Sequence, residues 1–265
     1  MSIYLELTRD FNEGRLRAIV SSGQAVVLHR LAVASKDGDW ILREDPESLA
    51  WILGVLERHG SRYRFGAPLD VRWMRGGWSS HLEHRRGPLR VRTDFVTRPP
   101  RLAAERRAAM WREQAGRNVP FVGARDLATL KMTNREKDYP IIGELARRLE
   151  DPAEQLLYSR SARDIRALAE RHPDLVARLA GERPLLGLAE APREEIEAAL
   201  DAERRRLIHA NERRLARYVE AARAWRALWP AVAQETAGHP LREAHAVVVA
   251  RAEGVLPFEI AEADA

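Results

Sequence analysis

The chain contains no cysteine. Disulfides, thiolate zinc centres and cysteine nucleophiles are therefore excluded. Lysine is nearly as scarce: of 44 basic residues only Lys36, Lys131 and Lys137 are lysines, and arginine makes up the rest. The two cations differ as ligands, a compact point charge against a planar fork, so a retained lysine marks a position worth watching. Long apolar runs are missing as well. None approaches the roughly 20 residues that span a bilayer. The opening MSIYLELTRD lacks the charged-then-apolar order of a secretion signal. These absences predict a cytoplasmic protein with no membrane partner. No Walker loop and no Gly-x-Ser-x-Gly elbow is present, so P-loop and serine-hydrolase chemistry drop out.

What is present is an ordinary globular composition. The 265 residues are 45% apolar, enough for one large domain or two small ones. The formal net charge is +5, but both signs are interspersed through the helical segments. Ion-paired, solvated helix faces explain that pattern better than a nucleic-acid footprint does, although a nucleic-acid-binding helical protein stays open as an alternative.

The first half mixes strand and helix signals. Residues 17–20 read as a strand, and Ser21-Ser22-Gly23 opens a helix through the apolar run 25–31. Residues 37–42 form a second strand. Asp45-Pro46 caps a helix reaching about Arg58, which Gly60 ends. Short strands are expected at 63–65, 69–73 and 119–122. Residues 89–96 alternate as a half-buried strand does, and Pro99-Pro100 stops them. Helices are expected at 102–114 and from about 125. Beyond residue 150 the texture is helical, with Asp151-Pro152, Ala191-Pro192 and His239-Pro240 as helix starts. One long helix or two stacked ones cover 192–229. The expected division is an α/β core over 1–150 and an all-helical region over 151–265.

Chemistry concentrates in three aspartates. Residues two apart on a strand share a face, so Asp37 and Asp39 present adjacent carboxylates. Such a pair is unfavourable without a cation between the charges. Magnesium suits it, since it takes carboxylate oxygens and completes its shell with water and phosphate. Asp94, on the alternating strand, supplies a third carboxylate if that strand is a neighbour, which is the frame of two-metal phosphoryl chemistry. Asp70, on the candidate strand 69–73, is the fallback. Asp-Gly-Asp is also a common turn sequence, so the spacing alone does not decide.

The surroundings add weight. Ser22-Gly23-Gln-Ala-Val-Val-Leu-His29, Ser35-Lys-Asp37-Gly-Asp39-Trp-Ile-Leu42 and Arg92-Thr-Asp94-Phe-Val96 come in the order of a phosphate turn, an Asp-x-Asp strand and a third-carboxylate strand. Over residues 17–149 the chain resembles the nucleotidyltransferase superfamily, in particular its bacterial minimal and abortive-infection toxin-like members. The resemblance implies a polymerase-beta-like mixed sheet and transfer of a nucleoside monophosphate from a nucleoside triphosphate to an acceptor hydroxyl. It implies two Mg2+ ions, with Mn2+ as a substitute, bound by Asp37, Asp39 and Asp94. Ser22, Gly23, Lys131 and Arg135 would hold the nucleotide. RNA or protein is the favoured acceptor, and an antitoxin is an implied partner. The chain departs from the family pattern at Ser22, which replaces a glycine, at Val33, which replaces an arginine, and at Gly38, which replaces a bulky apolar residue. A catalytically degenerate adaptor with the same fold is the rival reading.

Lys131, Arg135 and Asp138 fall at i, i+4 and i+7 of a predicted helix, on the face carrying Leu127, Ile142 and Leu145. That places Lys131 towards the carboxylate cleft and Lys137 on another side; a plain Arg135–Asp138 ion pair is the structural alternative. His81 and His84 would chelate zinc only if helical, and read better as loop histidines. Trp225 and Trp229 read as core.

Overall fold

The computed structural model describes residues 2–260. Five strands form one mixed sheet in the order β1-β2-β5-β4-β3: β1 Ala18–Val20, β2 Gly38–Leu42, β3 Arg62–Tyr63, β4 Ser80–Arg86 and β5 Leu89–Val96. β2 and β5 run parallel; the other three pairings are antiparallel. The chain is thus α/β, and no strand follows β5 among the described residues.

Contacts divide the chain into two units, Met1–Val122 with Ala216–Ala265, and Gly123–Leu215. This division differs from the boundary expected at residue 150. The reason lies in the C-terminal tryptophans, which belong to the sheet's unit. There Trp225 is buried and donates to the Gly66 carbonyl at 2.9 Å, and its ring meets Trp229 edge-on.

In the first unit, α1 (Ile3–Phe11) and α3 (Pro46–Arg58) cover one face of the sheet. Both are amphipathic and turn Leu7, Phe11, Ile52 and Leu56 onto Trp40, Leu82 and Phe95. Asp45 caps α3 as its sequence predicts, accepting from Ser48 N at 2.7 Å with Pro46 in the first turn. α1, by contrast, was not anticipated from the sequence. Trp40 stacks on Phe95 and meets Phe11 edge-on, and its indole N–H donates to Thr8 Oγ1 at 3.0 Å. Full burial of each ring contributes roughly 1.5–3 kcal/mol, and this cluster fixes β2 from below. It also explains the glycine at position 38. A Cβ there would lie 2.3 Å from the Trp40 ring and 2.5 Å from that of Tyr4.

Two expected strands are not strands. Residues 69–73 contain the start of a short helix, α4 (Val71–Arg75), because Asp70 accepts from Arg72 N at 2.9 Å and caps it. Residues 119–122 contribute a single bridge, Val20 to Phe121. The tryptophan- and histidine-rich stretch before residue 84 is no loop, since it contains β4. α5 (Ala104–Glu113) lies within the helix expected at 102–114.

The second unit is helical. The helix expected to run on from residue 125 is broken: α6 (Ala124–Leu130) ends at Lys131, a 3-10 turn covers Glu136–Asp138, and α7 is Tyr139–Ala146. α8 (Pro152–Tyr158), α9 (Ala162–Arg171) and α10 (Pro173–Leu179) follow. α11 (Arg193–Ala221) starts in this unit, whereas α12 (Arg223–Glu235) and α13 (Leu241–Glu253) belong to the first unit; residues 192–229 thus fall in two helices. Leu156, Ile165, Leu186 and Ile196 centre this unit's core.

Candidate active site

The sheet face opposite α1 and α3 carries the charged residues. Gly38 pairs with Thr93 and Asp39 with Asp94 across the parallel β2–β5 ladder, so the two aspartates share a face as direct neighbours. Asp37 precedes β2 by one residue, and Arg92 Nη1 lies 3.6 Å from its Oδ1. His81 is opposite Asp94 on β4, and Glu83 is opposite Arg92. On the far side, Arg62 is opposite Glu83, while Arg64 N donates to the His81 carbonyl at 2.8 Å. Two charged rows therefore cross the sheet. One reads Arg64, His81, Asp94, Asp39; the other reads Arg62, Glu83, Arg92, Asp37.

The loop before β2 is strapped to the start of α2 (Ser22–Leu28). Gln24 Nε2 donates to the carbonyls of Ser35 and Asp37 at 3.1 and 3.2 Å, and Ser21 N donates to the Asp39 carbonyl at 2.8 Å. Gly23 is closely packed here: a Cβ would sit 2.2 Å from Ser35 Oγ, so that hydroxyl would have to move. Ser22 stands at φ +47°, a left-handed conformation that favours glycine and costs a side-chain-bearing residue about 1 kcal/mol or more. The serine-for-glycine departure thus keeps the glycine backbone shape. Ser22 and Gly23 are held beside the carboxylate strand by these bonds.

Asp94 is half-buried. Its Oδ1 accepts from His81 Nδ1 at 2.8 Å and from the Arg64 guanidinium. Burial works to raise its pKa, but the hydrogen bond and charge of His81, and then Arg64, outweigh burial and hold it below the usual carboxylate range. His81 Nε2 is 2.9 Å from Ser79 Oγ, so the ring is fixed at both nitrogens. Burial, followed by the charge of Asp37, pushes the Tyr4 phenol up; its hydroxyl donates to the Lys36 carbonyl at 2.6 Å.

The donor chemistry suits a hard divalent cation at Asp37 and Asp39. Asp37 Oδ1 is buried with no hydrogen-bond partner, an oxygen short of a positive neighbour at bonding distance. Asp94 is different, because its Oδ1 is taken by His81 and Arg64. As the side chains stand, no group of three His, Cys, Asp or Glu residues among those described is placed to hold a metal ion. Asp70, the fallback, is engaged by the Arg72 guanidinium at 2.9 and 3.0 Å.

Lys131 and Arg135 belong to the second unit, and their helix-face argument fails because the helix ends between them. They meet nonetheless. Lys131 Nζ donates to Asp138 Oδ1 at 3.1 Å, while Arg135 Nε and Thr133 Oγ1 donate to Asp138 Oδ2 at 2.9 and 2.6 Å. Lys131 and Asp138 are buried, whereas Arg135 and Lys137 are exposed. His81 and His84 have opposite parity on β4, so they face opposite sides of the sheet and cannot share a zinc ion. Reading β4 as loop hid His81 and Glu83 from sequence reasoning. The alternation Ser80-His-Leu-Glu-His84 was the available signal.

No family model matches the chain, and no curated protein matches it. A solved structure described as "putative nucleotidyltransferase from H. pylori" is similar to it at a TM-score of 0.39 and 11% identity, over 80% of this chain and 98% of that one. The likeness is coarse.

Proposed function

We propose that the chain is a metal-dependent nucleotidyltransferase. One observation carries this reading: Asp39 and Asp94 are direct neighbours on parallel strands, with Asp37 two residues before Asp39 and its carbonyl tied to Gln24 in the first turn of α2. In the proposed reaction an acceptor hydroxyl oxygen bonds to the α-phosphorus of a nucleoside triphosphate. The bond from that phosphorus to the bridging oxygen of the β-phosphate breaks, and pyrophosphate leaves. Asp37 and Asp39 would hold magnesium, which supplies charge neutralisation at the phosphates when bound. Asp94, ionised at neutral pH, accepts the hydrogen bond of the attacking hydroxyl and passes its proton to water. Ser22 and the amides near Gly23 receive the β- and γ-phosphates. Catalysis is mostly positioning and charge stabilisation.

The test is incubation with each labelled triphosphate, magnesium and total RNA or protein, beside thermal unfolding with and without ligands. Magnesium and triphosphate together are expected to raise the melting temperature, and Asp39→Asn to abolish both transfer and that shift. The adaptor reading is favoured by a specific observation, the chain's own cations on Asp94 and beside Asp37. Nucleotide stabilisation that survives Asp39→Asn and ignores magnesium would establish it instead.

A further inference from the structure

On the same sheet face, beyond the carboxylates, β3, β4 and β5 enclose a cavity of about 390 Å³ lined by Gly60, Arg62, Glu83, His84, Arg85 and Arg90. Arg62, Arg85 and Arg90 share the parity of Asp94 and His81. The Glu83 carboxylate is buried at the base and clamped from both sides, by Arg62 at 2.9 Å and Arg90 at 2.6 Å. Arg85 is exposed and makes no ion pair among the described residues. Three guanidinium groups thus face one carboxylate, an excess of positive charge in a concave site. His84 has the opposite parity: its ring lies on the other side of the sheet, 5.3 Å from that of His59, with Nδ1 3.1 Å from Ser61 Oγ, and takes no part in this charged face. Surplus guanidinium groups converging on one face are the donor set of an oxyanion site.

Position gives the site its meaning. Arg90 lies four residues from Asp94 on β5, about 13 Å along a strand. The Ser22 turn lies on the other side of the carboxylates, towards β1. In-line displacement puts the attacking and leaving oxygens on opposite sides of the phosphorus. If the triphosphate's leaving end sits at Ser22, the acceptor approaches from the side of β4 and β3.

We propose that the Arg62–Arg85–Arg90 cavity binds a backbone phosphate of a polynucleotide acceptor, anchoring the strand whose hydroxyl reaches the carboxylates. The proposal rests on the nucleotidyltransferase reading for the word acceptor, but strand binding is measurable without catalysis.

The experiment uses the full chain and a labelled single-stranded oligoribonucleotide, followed by fluorescence anisotropy across a salt series. Arg85→Ala, at an exposed position without partners, is expected to weaken binding about fivefold and to lower the salt slope by about 1. Arg85→Glu should weaken it further. Asp39→Asn should leave strand binding intact while ending transfer, so loss of the catalytic reading and loss of this one are separable. Inorganic phosphate and triphosphate serve as competitors. Absence of strand binding, or binding indifferent to both Arg85 variants, would overturn the proposal. So would variants that weaken triphosphate binding and spare the oligonucleotide, since the cavity would then serve the donor.

Discussion

Replacing Lys131 by methionine separates two accounts of this residue, because its ammonium is committed to Asp138 inside the second unit. The side chains of Lys131 and Asp138 are 6% and 3% exposed, and the charged atoms are 3.1 Å apart. At an effective dielectric near 20, unit charges about 4 Å apart attract by about 4 kcal/mol. Removing one partner of a buried pair typically costs about 3–5 kcal/mol, because the other charge is stranded. Asp138 would keep Thr133 and Arg135, which brings Lys131→Met to the lower end of that range or just under it, about 2–3 kcal/mol. Arg135 is half exposed at its side chain, so Arg135→Ala should cost under about 1 kcal/mol.

Urea unfolding followed by tryptophan fluorescence reads both values. The pH dependence adds a second check. Burial would raise the Asp138 pKa, but the Thr133 hydrogen bond and the charges of Lys131 and Arg135 prevail and lower it. A depressed carboxylate contributes stability above its unfolded pKa, near about 3.9, and loses it as pH falls through the folded value. The gap between wild type and Lys131→Met should hold from neutral pH down to about 5 and shrink below about 4. The double replacement Lys131→Met with Asp138→Leu should recover part of the loss, since an apolar pair strands no charge. A Lys131→Met protein as stable as wild type, but with weakened triphosphate binding, would refute this reasoning and make Lys131 a ligand-binding cation.

Gly38→Ala forces a methyl into the Tyr4 and Trp40 rings and should destabilise by about 2 kcal/mol in the same unfolding assay; a neutral result would mean that α1 yields freely. Burial, then the neighbouring charges of His59 and Arg86, drops the His84 pKa from 6.5 to about 4. The unfolded chain therefore binds a proton that the folded chain refuses, so stability should fall between about pH 6.5 and 4, by up to about 3 kcal/mol. His84→Gln should remove that slope, and an unchanged profile would show that His84 is not buried in solution.

The strands that carry the aspartates were legible because their signals are local. Leu89-Arg-Val-Arg-Thr-Asp-Phe-Val96 alternates over its whole length, and Asp45-Pro46 announces its helix with a cap and a proline. β4 was not legible, because Trp78, His81 and His84 look like a polar insert until Asp94 and Arg92 stand opposite His81 and Glu83. Cross-strand pairing of that kind is non-local and leaves a weak trace in one sequence. The Lys131 helix failed for a local reason. Thr133 and Arg135 bond Asp138 through their side chains, and those bonds compete with a continuous helix. Gly38 looked like a flaw in β2 since nothing in the sequence says that Tyr4, 34 residues earlier, would fill its space.

The two charged rows bear on how the carboxylates would meet a cation. Three aspartates on one face repel each other, and the folded chain answers with Arg64 and His81 on Asp94 and Arg92 beside Asp37. These cations let the face form without any metal, and they also compete with one. A divalent ion that reached Asp94 would strand the Arg64 guanidinium, at a cost that the ion alone has to offset. A bound triphosphate would change that balance, because its oxygens would offer Arg64 and Arg92 new acceptors if the carboxylates turned to a metal. On the proposed reading, metal and nucleotide would bind better together than apart, which is why the thermal shift has to be sought with both present. The same arrangement explains why Asp39, rather than Asp94, is the position to substitute. Asp94→Asn would leave Arg64 and His81 without their carboxylate and confound folding with catalysis.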